Sequence, residues 1–432
     1  MLGRGPEFQR TVDSTEAPQI LGARSGEARY YDIIGFDPRG VNHTLPAVEC
    51  YPSSLQRFAW KLQNAAEGRL GEPSTSLDEK WARYQSRSES CMANVAAMGE
   101  DSIAYHTNVA PVARDILEIA EHHGEWREAE VRSKIAMDGR ANHVASGSPL
   151  DDQENRVLLE RLRWLPGKEK VQYWGVSYGT ALGATLATMY PDRIHRAILD
   201  SVVVAADWVP AFWMKSLQDT DKTLALFCNY CYLAGNKDCR LWRDSPEAIA
   251  AAFEQAHLQL WGRPIPVPGT SERGPDVVNH NDIKHMFAAD AIYHPISGFP
   301  LAATLIADVL EGNGSSFADY KASRYNTAFS AYLDNSYSGN SACQTMGPYS
   351  QACQTPNEAR DERSPAIWCL EAENINMTKD YFLQFWGVLQ GQSKLMGDIW
   401  AERRLECVGW NLRPVWPFTG EQKTEKAPRQ TH

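Results

Sequence analysis

A serine hydroxyl attacks a carbonyl only when a base removes its proton and when its own backbone leaves room for the substrate. Gly175-Val176-Ser177-Tyr178-Gly179 answers the second requirement. Glycines on either side of a serine suit a sharp strand-to-helix turn, where the chain crosses itself closely and the serine is held exposed in a strained conformation. Such a turn also aims the backbone N–H of Tyr178 at the position where an oxyanion would form, and one such donor is worth about 10²–10³ in rate. Ser177 is therefore the candidate nucleophile and Tyr178 the candidate oxyanion donor.

A triad on this kind of turn continues in the chain order acid, then histidine. The histidines that follow are His195, His257, His280, His285, His294 and His432. The first begins a strand-like segment, the next four fall in helix-like segments, and the last ends a polar tail. None follows an apolar strand, where this geometry would deliver a base. Asp200 closes the strand after the nucleophile helix and is a possible acid, although a structural carboxylate at a strand end is the simpler reading. Asp282 and His285, three apart on one helix, read as a solvated face. Neither is assigned a catalytic role.

The elements around Ser177 are those the chemistry needs. Residues 171–176 read as a strand, 178–190 as a helix and 194–204 as a second strand, which is a parallel βαβ unit. Residues 30–36, YYDIIGF, read as a buried strand closed by the turn Asp37-Pro38-Arg39-Gly40. Between 109 and 123, Val112, Ile116, Ile119 and Ala120 recur at helical spacing, so a helix is expected to lie on the sheet. From Gly124 to about Gly167 the chain is charged, and an irregular surface insertion ending in a short helical stretch is expected. After Asp207 come helical stretches rich in Trp, Phe and Tyr. The expected fold class is α/β: an α/β-hydrolase with a parallel-dominated sheet and a large, mostly helical cap inserted after the strand that follows the nucleophile helix. The expected division is an atypical segment 1–29, a core 30–206, a cap 207–410 and a tail 411–432.

Composition narrows the partners. With 432 residues, 43 % hydrophobic and 22 % charged, the chain can bury a large core. Its net charge is −11 and its 43 basic residues are scattered, which argues against a nucleic-acid partner. No apolar run approaches the roughly 18 residues of a membrane span. The opening MLGRGPEFQRTVDSTEAPQ lacks the apolar core of a signal peptide, so the chain as written is expected to start in the cytosol. Nine cysteines, seven of them in the second half, point instead to a disulfide-bearing secreted protein. Asn42, Asn313 and Asn376 head triplets of the glycosylation-acceptor form, a pattern common by chance. Cys228 and Cys231 lack a second ligand pair at zinc spacing, so a disulfide with a buried thiol is preferred to a metal site. No cofactor is expected.

The residues also carry a resemblance. YYDIIGFDPRGV, TNVAPVARDILEIAEHHGEW, VQYWGVSYGTALGATLATMYPDRIHRAILDSVV, FCNYCYLAGNKDC and WAERRLECVGW resemble the secreted tripeptidyl aminopeptidases and proline iminopeptidase-like α/β-hydrolases of fungi and actinobacteria, from about Tyr30 to about Trp416. The resemblance implies Ser177 as nucleophile, a structural turn at Asp37-Pro38-Arg39-Gly40, and bridges between cysteines 50 and 91, 231 and 239, and 369 and 407. It implies release of short N-terminal peptides or single residues, with related members cleaving esters and amides, and a secreted protein. Two features depart from the pattern: the family's glycine-rich N-P-G-G-P-G loop has no counterpart before Tyr30, and its later D-P-V-T-P acid and G-H base have none after Trp410. The expectation is therefore a shortened peptidase-like serine hydrolase acting on peptides or small esters and amides. The alternatives are a remnant that binds ligand without turnover and a carboxylesterase.

Overall fold

The computed structural model describes residues 33–41, 44–72, 74–142, 149–208, 213–333, 362–372 and 377–418. The expectations for segment 1–29, for Asn42 and Asn376, for Cys343 and Cys353, and for the polar tail with His432 lie outside the described residues. In chain order come α1 (Ser54–Ala66), α2 (Ser76–Met98), α3 (Val109–Asn142), α4 (Pro149–Arg161), β1 (Val171–Val176), α5 (Tyr178–Met189) and β2 (Ile194–Asp200).

The strand expected at 30–36 does not form over its described part. Among the described residues, 33–36 belong to no strand, and Ile34 is 51 % exposed. An extended segment becomes a strand only when a neighbour takes up its backbone hydrogen bonds, and no described strand lies beside this one. The turn that follows does form. Val41 N–H donates to the Pro38 carbonyl at 3.0 Å, and Gly40 sits at φ 73°, where an added Cβ would lie 2.8 Å from Thr107 Cγ2. Arg39 makes two 2.7 Å bonds to Asp115 of α3, so the turn anchors that helix in place.

Val112 and Ile116 of α3 pack with Leu182 and Leu186 of α5, as the helical spacing predicts, but Ala113 and Leu117 complete the buried face in place of Ile119 and Ala120, which are only half-buried. Beyond Gly124 the expected irregular stretch is instead helix as far as Asn142. The charges account for it: Glu128 pairs with Arg132 and Glu130 with Lys134, each four residues apart. Pairs of this kind each support a helix by about 0.2–0.5 kcal/mol. The missing apolar stripe reports that this part of α3 covers no core, which is a different matter from being irregular.

β1 and β2 are parallel, with Tyr173 opposite Ala197, Trp174 opposite Ile198 and Val176 opposite Asp200. They form the described parallel sheet. Tyr173 and Leu199 face α5, close enough that a Cβ on Gly183 would lie 2.4 Å from Tyr173 Cε1 and 2.7 Å from Leu199 Cδ2. The opposite face carries Trp174 and Ile198, which are 50 % and 57 % exposed. β2 ends at Asp200 rather than running to 204, because Ser201 turns to φ 56° and Val203 N–H donates to Thr180 Oγ1.

The helical region comprises α6 (Ala205–Trp208), α7 (Thr220–Asp238, broken at Gly235), α8 (Pro246–Gly262), a hairpin of β3 (Ile265–Val267) and β4 (Asp276–Val278), α9 (His280–Met286), α10 (Pro295–Leu310), α11 (Ser315–Leu333), α12 (Arg363–Glu371), α13 (Lys379–Gln392) and α14 (Gly397–Leu405). Its core is aromatic and aliphatic: Phe227 and Phe253 meet Phe287 edge-on, among Leu260, Ile283, Ile306 and Phe382. Residues 213–219 lie outside helices, since Asp207 turns the chain by accepting from Met214 and Lys215 N–H at 2.9 and 3.0 Å. Disulfides join Cys50 to Cys91, Cys231 to Cys239 and Cys369 to Cys407. Cys228 is a buried thiol whose pKa burial pushes up to about 11, so it is chemically quiet. Among the described residues no helix is long and apolar enough to cross a membrane.

Candidate active site

The strand-to-helix turn is strained where the sequence predicts it. Ser177 sits between β1 and α5 at φ 56° and ψ −122°, a region that residues with a Cβ enter only under constraint. Four hydrogen bonds supply that constraint. Ser177 N–H donates to the Asp200 carbonyl at 3.0 Å, tying the turn to β2. The Ser177 carbonyl accepts from Thr180 N–H at 2.8 Å and from Thr180 Oγ1 at 2.7 Å. Tyr173 Oη donates to the Gly179 carbonyl at 2.6 Å, closing the crossing from the strand side.

The two glycines of the motif are not equivalent. A Cβ on Gly175 would lie 2.3 Å from the Gly179 oxygen, whereas one on Gly179 would meet only Tyr173 Oη, at 3.5 Å. The close crossing therefore depends on Gly175, and helix-to-sheet packing depends on Gly183, which the motif does not include.

Tyr178 is buried among groups distant in sequence. Its hydroxyl donates to Glu371 Oε1 at 2.7 Å, and Val109 N–H at the start of α3 donates to the same oxygen at 2.9 Å. Trp208 Nε1 donates to Glu371 Oε2. Trp208 lies 5.5 Å from the Tyr178 ring and 5.6 Å from Trp213, which in turn meets Trp368 at 5.8 Å. Glu371 thus gathers the elbow, α3 and α6 onto α12, two residues beyond the bridged Cys369. Every donor it receives is neutral. Burial raises its carboxyl to about 7, with the hydrogen bonds from Trp208, Tyr178 and Val109 pulling the other way.

A carboxyl raised by folding contributes stability in its protonated form. That contribution is complete below the ordinary carboxylate range and is lost as pH rises through about 7. Wild type should lose up to about 3 kcal/mol between pH 4.5 and 8 relative to Glu371→Gln, which keeps a neutral side chain. Denaturant midpoints across that range check this, and parallel curves for the two proteins would refute it.

The other candidates are not drawn to Ser177. Asp200 lies beside it through its backbone carbonyl, while its side chain is exposed at the strand end. Asp282 accepts from Asn279 N–H at 2.8 Å in a capping box and contacts Lys321 Nζ at 3.3 Å, so it is a helix cap rather than part of a solvated face with His285. His280 pairs with Glu72 at 2.9 Å and stacks near Trp261, with His257 alongside. His195 is exposed on β2. Among the described residues Ser177 Oγ has no hydrogen-bond partner. No group of His, Cys, Asp and Glu among the described residues is arranged to hold a metal ion. Glu371 and Thr180 escaped the sequence reading: Thr180 looks like any small helix residue, and Glu371 lies 193 positions from the tyrosine it holds.

Comparison with known proteins fits this geometry. Residues 26–228 match the family described as alpha/beta hydrolase fold. The chain is 23 % identical over 425 residues to the tripeptidyl aminopeptidase of Streptomyces coelicolor, covering 96 % of this chain and 60 % of that protein. Identity is 22 % over 425 residues to the tripeptidyl aminopeptidase of Streptomyces lividans, with the same 96 % and 60 % coverage. It is 26 % over 225 residues to serine protease Hip1 of Mycobacterium bovis, covering 51 % of this chain and 32 % of that one. The chain therefore spans about 60 % of the length of the aminopeptidases it matches.

Proposed function

We propose, for a chain that has the α/β-hydrolase fold of a serine-peptidase-like family, that Ser177 is the nucleophile of a hydrolase that forms an acyl-enzyme on peptides. The observation that carries this reading is the strained Ser177 conformation at the strand-to-helix turn. Nothing in the folding of a βαβ unit requires a serine at φ 56°, whereas presenting its oxygen to a carbonyl does. The backbone N–H of Tyr178 is the assigned oxyanion donor, and Glu371 holds the tyrosine side chain while that amide works.

The names of the relatives support release of short peptides from N-termini, and the three disulfides among the described residues support passage through an oxidising compartment. In this reading the base is a histidine supplied to Ser177 from outside the described hydrogen-bond partners. It is indispensable for turnover: loss of the histidine of such a triad costs on the order of 10⁶ in turnover. A second reading, a binder without turnover, draws on a Ser177 hydroxyl that has no hydrogen-bond partner among the described residues.

The deciding experiment is labelling of the purified chain with a fluorescent fluorophosphonate beside Ser177→Ala. Labelling that disappears in the variant establishes an activated Ser177, and cleavage of peptide p-nitroanilides over p-nitrophenyl esters then separates peptidase from carboxylesterase. A folded chain that takes no label overturns the catalytic reading and leaves the binder.

A further inference from the structure

We propose that Asn313 carries an asparagine-linked oligosaccharide, attached on the turn between α10 and α11. The inference is independent of the catalytic reading and rests on the passage through an oxidising compartment proposed from the disulfides.

Asn313-Gly314-Ser315 has the acceptor form, and the form alone is common by chance. Its setting supplies what the form lacks. A glycan is bulky and needs a surface turn whose own bonds it does not disturb, and the three residues meet that need in different ways. Gly314 is the buried member. A Cβ there would lie 2.6 Å from Val267 Cγ2, 3.0 Å from Ile265 Cγ2 and 3.1 Å from Val278 Cγ2, so the centre of the triplet is seated on the β3–β4 hairpin and admits no side chain. Asn313 and Ser315 on either side of it are exposed. At Gly312, just before them, an added Cβ would meet nothing within 4 Å, so the space beside the asparagine is open.

Asp308 fixes the turn without using either exposed side chain. Its carbonyl accepts from Asn313 N–H at 2.8 Å, its Oδ2 accepts from Ser316 Oγ at 2.5 Å, and its Oδ1 pairs with Arg240 at 2.7 Å.

The two ends of the Asn313 amide then do separate work. Oδ1 accepts from Ser315 N–H at 3.0 Å and so caps the first turn of α11. Nδ2 bonds to no described residue, and Nδ2 is the atom that glycosylation uses. Transfer from a lipid-pyrophosphate-linked oligosaccharide joins Nδ2 to the anomeric carbon of the first sugar, breaks the bond from that carbon to the pyrophosphate oxygen, and releases one Nδ2 proton with the lipid pyrophosphate. The amide oxygen keeps its lone pairs, so the cap on α11 survives the modification.

The test is the full chain secreted from yeast behind a cleavable leader. Endoglycosidase H leaves one N-acetylglucosamine on each occupied asparagine, and peptide mapping then reads Asn313 apart from Asn42 and Asn376. Sugar is expected on Asn313, with complete loss in Ser315→Ala and in Asn313→Asp and retention in Ser315→Thr. Ser315→Ala removes the hydroxyl that the transfer requires and leaves Asn313 and its cap in place. Asn313→Asp keeps an oxygen for Ser315 N–H at a helix N-terminus, where a negative charge is favourable, and removes the nitrogen. Both variants should therefore be secreted as well as wild type. Secreted chain with bridged cysteines and a bare Asn313 overturns the proposal, as does sugar that persists on Asn313 in Ser315→Ala. Sugar on Asn313 beside reduced Cys50, Cys231 and Cys369 upholds the site and overturns the compartment reading instead.

Discussion

Replacing Gly175 with alanine is expected to destabilise the protein by about 3 kcal/mol or more and to abolish any reactivity at Ser177. The added Cβ would sit 2.3 Å from the Gly179 oxygen, 2.6 Å from the Gly179 carbonyl carbon and 2.5 Å from Tyr173 Cε1. Two of these are backbone atoms of the turn itself, so no rotamer change can make room. The third belongs to a tyrosine whose hydroxyl already donates to the Gly179 carbonyl, which blocks its retreat. Relief requires the crossing to open, and opening it releases the bond from Ser177 N–H to Asp200 that holds φ at 56°. Gly179→Ala is the matched control: its Cβ meets only Tyr173 Oη at 3.5 Å, an ordinary contact, and the position lies within α5. There alanine should be tolerated or should stabilise by up to about 1 kcal/mol, since glycine is the poorer helix former. Urea midpoints for the two variants decide the matter, and equal losses would refute the close-crossing argument.

The second large effect is expected at Glu362, far from the elbow. Its carboxylate is 0 % exposed and takes bonds of 3.0 and 2.7 Å from Arg57 Nε and Nη2, whose side chain is 3 % exposed. The two residues are 305 apart in sequence and join α1 to the N-terminal end of α12. Glu362→Ala removes the fully buried carboxylate from the guanidinium, while its bond to Glu49 reaches a side chain 41 % exposed. Loss of one member of such a pair costs about 3–5 kcal/mol, because the remaining charge stays desolvated. Changing both, with Arg57→Met and Glu362→Leu, should recover most of that loss, since an apolar pair of similar volume needs no solvation. A double variant as unstable as the single would show that the pair stabilises by more than sparing the guanidinium the loss of its buried counter-charge. Since α12 also carries Glu371, the single variant should slow fluorophosphonate labelling where labelling occurs.

Much of the centre was legible from local pattern. Alternation and glycine placement located β1, α5 and β2, because a βαβ unit is specified by periodicity within about 30 residues. The periodic helices of the aromatic-rich half appeared for the same reason. Errors fell where structure depends on a neighbour or on charge. Residues 33–36 are apolar enough for a strand but have no described strand beside them. Residues 124–142 are helical through ion pairs that leave no apolar stripe. Asp282 and His285 have the spacing of one helix face, yet Asp282 turns back to cap its own helix.

By itself, then, the sequence determined the elbow, the order of the elements around it and the chemical identity of Ser177, all of which rest on contacts between residues close along the chain. Only the tertiary structure decided which glycine the crossing cannot do without, which carboxyl holds Tyr178, and which buried charges join α1 to α12. Glu371 and Glu362 are ordinary acidic residues in a charged stretch until folding removes their water. Their neutral or cationic partners come from 163 to 305 positions away. Desolvation is a property of the packed chain, and no spacing rule records it.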